Sequence, residues 1–247
     1  MFADPTTLAI LLLLVAFAAY VQGVAGFAYG LILMGIIGWL DLAPLPAAAI
    51  LVSLTSLVNV LVALRGYRSS IQWQLLMPVV AGMLPALVGG VLLLDYLSNE
   101  AEALLKSLLG ITLLGGGSLL MLKPTPYQAP SGPLSLIAIG ILGGISGGLF
   151  SVSGPPIVFH FYRQPLPLGL LKITLLALFG FSTLTRIAVV SIEGQMTLEL
   201  LWFGLLAAPI VSLSTLAARR FPPPLSEDNL KRCAFFLVAG MGLALLI

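Results

Sequence analysis

The chain has 247 residues, of which 60% are hydrophobic and 8% charged, with a formal net charge of +2 and a mean hydropathy of +1.14. A soluble domain carries about 25% charged residues, and surface-to-volume scaling gives a chain of this size too little interior to hide so much apolar surface. That excludes a water-soluble globular protein, and the absence of a basic, aromatic-laced patch speaks against nucleic-acid binding.

Apolar segments are expected at 6–39, 44–64, 74–94, 103–122, 134–162, 167–190, 198–217 and 233–247. About 20 apolar residues span a bilayer as a helix, so the pattern predicts an all-α polytopic membrane protein with short loops. No cleaved signal peptide is expected. Asp4 stands before the first apolar run with no Lys or Arg, and the run is longer than a signal core.

The first segment is too long for one crossing. Its 34 residues would make a helix of about 50 Å, against a hydrocarbon core of about 30 Å. It contains the cluster Gly23-Val24-Ala25-Gly26-Phe27-Ala28-Tyr29-Gly30. The next punctuation is a basic turn, Arg65 to Ser70, and then an acidic one, Asp95 to Glu100. The proline-rich stretch 123–133 divides the chain almost in half, giving a first repeat at 1–122 and a second at 134–247 within a single membrane domain.

The second half opens like the first. Segment 134–162 carries Gly143-Gly144-Ile145-Ser146-Gly147-Gly148-Leu149-Phe150-Ser151-Val152-Ser153-Gly154-Pro155-Pro156. Two consecutive prolines cannot lie deep inside a helix without losing backbone bonds, so a break is expected here too. A shift of 121 residues aligns the halves without gaps, placing Gly23 on Gly144, Gly26 on Gly147, Pro44 on Pro165 and Arg65 on Arg186. Duplicated halves are a recurring plan of transporters. The arginines at 65 and 186 are expected at matching helix ends, held by headgroups and by the negative helix C-terminus.

The distribution of Lys and Arg tests whether the broken segments cross. If all eight segments cross, Arg65, Arg68, Lys123 and Arg186 face Arg163, Arg219, Arg220, Lys231 and Arg232, with Lys106 and Lys172 near the second group, which is a poor bias. If the two broken segments return to the side they left, Arg65, Arg68, Lys123, Arg163, Arg219, Arg220, Lys231 and Arg232 share one face, against Lys106, Lys172 and Arg186. The second arrangement obeys the positive-inside bias better. It gives each half one re-entrant segment plus three transmembrane helices, and it inverts the second half relative to the first.

Broken helices in lipid are tolerated where the break lines a cavity. The start of a half-helix offers free N–H groups and a positive dipole end, and glycine lets a ligand approach the backbone. The two clusters therefore predict a central site for a small anion, to which Ser146, Ser151 and Ser153 could add hydroxyls. The alternative is that the glycines let helices pack closely. His160, the only histidine, could bind an anion or move a proton, or could be bonded to a nearby carbonyl. Asn59 could donate to the substrate or bridge helices. Lys172 could snorkel to the interface. All nine acidic residues fall in or beside loops, which disfavours a carboxylate-driven proton pump. With one cysteine and no metal-ligand, nucleotide-loop or catalytic-triad spacing, neither a cofactor, a metal nor an enzyme activity is expected.

The run from Gly144 to Pro156, followed by Pro165-Leu166-Pro167, resembles the second-half signature of the TauE/SafE family of membrane permeases. Gly23 to Gly30, then Pro44 and Ser53-Leu54-Thr55-Ser56-Leu57-Val58-Asn59, resembles the first-half signature, with Phe27, Ala28 and Tyr29 where more glycine is common. The resemblance covers essentially the whole chain. It implies transport of a sulfur-containing anion, sulfite or a small organosulfonate, usually outward, across the inner (plasma) membrane. It also implies a site drawing on Gly26, Gly30, Gly147, Gly148 and Ser151. The expectation is thus a secondary transporter working by alternating access, with a small anion and the lipid bilayer as partners and room for a homo-oligomer. A passive anion channel and a non-transporting membrane scaffold remain as alternatives.

Overall fold

A computed structural model describes residues 4–122, 125–224 and 227–246. Ten α-helices follow one another: α1 (Pro5–Ala25), α2 (Tyr29–Trp39), α3 (Leu45–Ala63), α4 (Trp73–Glu100), α5 (Glu102–Met121), α6 (Pro133–Phe150), α7 (Gly154–Tyr162), α8 (Leu168–Ile192), α9 (Leu198–Arg220) and α10 (Glu227–Ala244). Seven of the described helices, all but α2, α7 and α10, are long and apolar enough to cross a membrane. No strand occurs among the described residues.

Both overlong segments break, each into a long helix and a short one. The acidic stretch 95–100, read as a turn, is instead the end of α4. It holds no glycine or proline to stop a helix, and Ala101 alone joins α4 to α5. Lys123 and Pro124 of the linker, with the charge argument that used Lys123, lie outside the described residues, as does Ile247.

Packing repeats across the halves. α1 lies on α9 as α6 lies on α4, α3 on α9 as α8 on α4, and α2 on α10 as α7 on α5, while α3 meets α8 and α5 meets α10. Cap positions set the correspondence. The C-caps Gly26 and Ser151 are both left-handed, with φ of 84° and 55°. Pro44 and Pro167 precede α3 and α8 with nearly identical backbone angles, φ −53° and −56°. Gly26 and Ser151 thus close the two broken helices, whereas the gap-free alignment sets Gly26 on Gly147.

The chain comes back on itself through α6 and α7. Just past the end of α7, Arg163 Nε donates to Thr125 O at 3.3 Å and Arg163 O accepts from Tyr127 N at 2.6 Å, while Gln164 Oε1 accepts from Ser131 N at 3.0 Å. These partners belong to the linker that leads into α6. At the opposite seam, Arg219 of α9 donates to Ala63 O at the end of α3 and stacks over Tyr67, 5.3 Å from its ring centre.

The most extensive helix pair is α4 with α6, which run parallel. It is built on small residues four apart: Gly82, Ala86 and Gly90 on α4, and Gly140, Gly144 and Gly148 on α6. A Cβ on Gly90 would sit 2.6 Å from Ile145 O and 2.9 Å from Gly148 Cα, and one on Gly148 would fall on the carbonyl oxygen of Leu87. Only glycine allows backbones this close, the packing device of helices in lipid.

Candidate functional site

The two breaks meet. A cavity between them is walled by Ala28, Tyr29, Gly30 and Leu31 at the start of α2, by Ser151, Val152, Ser153 and Gly154 at the start of α7, and by Gln22, Ser56 and Phe179. It has an empty volume of about 350 Å³, part of it open to solvent, with about 30 Å³ of room for water-sized contents. That is enough for about one or two waters.

Why the chain breaks here is local. Gly26 ends α1 in the left-handed region at φ 84°, and its amide closes on Gln22 O at 2.7 Å. Ala28 also lies there, at φ 83°, and Ser151 at φ 55°. A non-glycine residue in this region costs about 1–2 kcal/mol. Such strain gathers where function over-determines the backbone, and Ala28 and Ser151 both face the cavity.

The first amides of α2 have no carbonyl one turn behind them. The amide of Tyr29 is met by Gln22 Oε1 at 3.2 Å. The amides of Gly30 and Leu31 belong to the same first turn, in the cavity wall. At α7, Pro155 and Pro156 bring no N–H, which leaves the amides of Ser153 and Gly154 and the serine hydroxyls as donors.

The hydroxyls form two pairs behind the wall. Ser151 Oγ is hydrogen-bonded to Ser53 Oγ of α3, which itself donates to Ala49 O at 2.8 Å. Ser153 Oγ lies 3.0 Å from Ser182 Oγ of α8. A buried chain of amides fixes the first break: Gln22 Nε2 donates to Asn59 Oδ1 at 2.9 Å, and Asn59 Nδ2 donates to Thr215 Oγ1 at 2.7 Å. It ties α1, α3 and α9 together.

Of the residues expected at the site, Gly30, Ser151 and Ser153 line the cavity. Asn59 stands one step behind it, through Gln22. Gly26 packs on the stem of Lys172, 3.4 Å from where a Cβ would be. Gly147 lies under the Ser153–Ser182 pair, and a Cβ there would meet both hydroxyls at 3.2 Å. Gly148 belongs to the α4–α6 seam. Ser146 turns back to Leu142 O at 3.2 Å and is partly exposed. His160, in the last turn of α7, is away from the cavity wall. Its ring lies 5.6 Å from that of Tyr127, and its Nε2 is buried without a hydrogen-bond partner.

Gln22, Tyr29, Ser53, Ser56 and Ser182 were not expected at the site, although four of the five are polar residues inside apolar runs, the signal that marks an intramembrane site. Arg186 departs from expectation outright. It is not at a helix end among headgroups but is 1% exposed, inside α8. Its Nη1 donates to Gly147 O at 3.3 Å and to Gly148 O, so it does meet a helix C-terminus, that of α6. Arg65 is exposed beyond α3, so the two arginines do not hold matching helix ends: α8 runs on past Arg186 to Ile192, whereas α3 stops at Ala63.

Known proteins place the chain. The model of the sulfite exporter TauE/SafE family matches residues 11–245. A probable sulfite/organosulfonate exporter TauE of Cupriavidus necator is 39% identical over 228 residues, which cover 92% of this chain and 89% of the relative. No solved structure matches. With its seven candidate membrane spans and a family match over nearly its whole length, the chain belongs to the TauE/SafE sulfite exporters, a family of multi-pass membrane transporters rather than enzymes.

Proposed function

We propose that the protein is a secondary transporter that exports a small sulfur-containing anion, sulfite or an organosulfonate, across the inner (plasma) membrane. The anion is held where α2 and α7 begin, between the first-turn amides of α2 and the hydroxyls of Ser56, Ser151 and Ser153. The observation that carries this reading is the convergence of two helix starts, from two separate halves of the chain, on one polar cavity. Each start adds positive dipole, and together they favour a compact negative charge. The name of the Cupriavidus relative supplies the sulfur chemistry.

The halves act as inverted repeats, each with a re-entrant pair, α1–α2 and α6–α7, and access alternates about the cavity. The return of α7 to the linker before α6 supports this arrangement. The small size of the cavity, with room for only about one or two waters, suits a carrier site better than a continuous open pore.

The test is a thermal-shift series on the purified protein with sulfite, sulfoacetate, taurine, sulfate and chloride, followed by flux in proteoliposomes. A ligand bound only by the folded state raises its melting temperature by mass action. Stabilisation by sulfite or sulfoacetate at concentrations where chloride does nothing, with saturable flux, is expected. No shift and no flux with any sulfur anion refutes the substrate. Conductance far above carrier rates refutes alternating access.

A further inference from the structure

Arg186 is among the largest fully buried side chains of the protein, and among the described residues no carboxylate pairs with it. Glu193, about two turns further along α8, is exposed and attracts it only from a distance, with no ion pair between them. Its Nη1 is spent on the carbonyls of Gly147 and Gly148, and its Nε has no partner. Two carbonyls at the negative end of α6 offset part of a positive charge. A buried cation without a contacting counter-ion is still costly.

The position of the charge gives it a use. Ser182 lies one turn before Arg186 on the same face of α8, and its hydroxyl is 3.0 Å from that of Ser153 in the cavity wall. Gly147, whose carbonyl Arg186 holds, leaves the space below this pair open: a Cβ there would press on Ser153 and Ser182. One buried chain of contacts thus runs from the guanidinium through α6 to the wall of the cavity.

We propose that Arg186 supplies the counter-charge of the bound anion, so that the site requires a full negative charge on its ligand. The inference rests on the transport reading above. A residue that merely clips the end of α6 would be replaced by any neutral donor, whereas a counter-charge would not.

The first test is Arg186→Gln, with sulfite as the probe. The variant is expected to remain folded and to bind sulfite about a hundredfold more weakly or worse, as read by thermal shift. A folded R186Q that binds within about threefold of the parent overturns the assignment, since that is no more than a neutral hydrogen bond contributes. The second test needs no ligand. Ser182→Asp offers Arg186 a built-in carboxylate, and Ser182→Asn has the same shape without the charge. S182D is expected to melt above S182N and to show no sulfite shift. An S182D that melts below S182N would mean an unpaired buried carboxylate, and no cation facing the site. If the parent protein neither binds nor moves any sulfur anion, the transport reading fails on its own, while the S182D and S182N comparison still decides where Arg186 points.

Discussion

Across the first break, the backbone amide of Tyr29 donates to the side chain of Gln22 at 3.2 Å, so the end of α1 caps the start of α2. The same side chain donates to Asn59 through its other end. Gln22 therefore satisfies a helix start that would otherwise be an orphan in lipid, and a hydrophobic residue in its place would leave two buried polar groups, Tyr29 N and Asn59 Oδ1, without partners.

Gln22→Leu is expected to destabilise the protein by about 1–3 kcal/mol, the cost of a buried group left unsatisfied. Equilibrium unfolding in mixed micelles reads this. Gln22→Glu should be no milder, because a carboxylate still accepts from Tyr29 N but sets an acceptor against Asn59 Oδ1 and buries a charge, and it should weaken anion binding by placing a negative charge beside the cavity.

Ala28→Gly should run against the usual rule. Alanine normally favours a helical segment over glycine, yet Ala28 sits at φ 83°, where glycine has no steric penalty. The variant should be more stable by about 1 kcal/mol. Gly26→Ala, at φ 84°, should lose a similar amount. Melting temperatures of the two variants, moving in opposite directions, check both.

Ser151→Ala and Ser153→Ala should each weaken binding of the transported anion about threefold to tenfold, as expected for loss of a single neutral hydrogen bond. His160→Phe should leave affinity within about twofold, since the histidine lies outside the cavity wall and reaches it through no hydrogen bond. Titration by thermal shift reads all three. A His160→Phe protein that no longer binds would move the site toward the far end of α7.

Gly148→Leu is expected to prevent folding rather than to probe the site. Its Cβ would collide with Leu87 O and lie 2.7 Å from Gly90 Cα, and overpacking of this kind costs about 1–3 kcal/mol even in forgiving cores. Gly115→Leu, where a Cβ meets nothing, should be tolerated. Yield of monodisperse protein after extraction distinguishes the two.

Much of this fold is legible in the sequence because lipid simplifies the code: an apolar run is a helix, and an overlong run with clustered glycine and proline is a broken one. The breaks at Gly26 and Ser151 follow from that. So does the gathering of both helix starts at one place, since each interrupts its segment at a similar depth. What the linear chain conceals is which glycine does what. Gly147 and Gly148 are adjacent, yet one leaves room for serine hydroxyls and the other lets two backbones touch, a difference set by the 100° turn between neighbours on a helix. Arg186 was hidden for a related reason. A gap-free alignment pairs it with Arg65 beyond the end of α3, but α8 runs on past Arg186 to Ile192 where α3 stops at Ala63, and the arginine comes to lie inside the bundle.

The glycine seam between α4 and α6 has a mechanical side. α4 belongs to the first half of the chain and α6 to the second, and their backbones interlock over three turns. The matching pair, α1 with α9, has only Gly23 in comparable contact, against Ala218 and Thr215. A swing that parted the two halves along the chain's midpoint would have to unzip the tighter joint. Under the alternating-access mechanism proposed above, α4 and α6 would travel as one strut while the looser α1–α9 joint yields, so that each moving body would take helices from both halves of the chain.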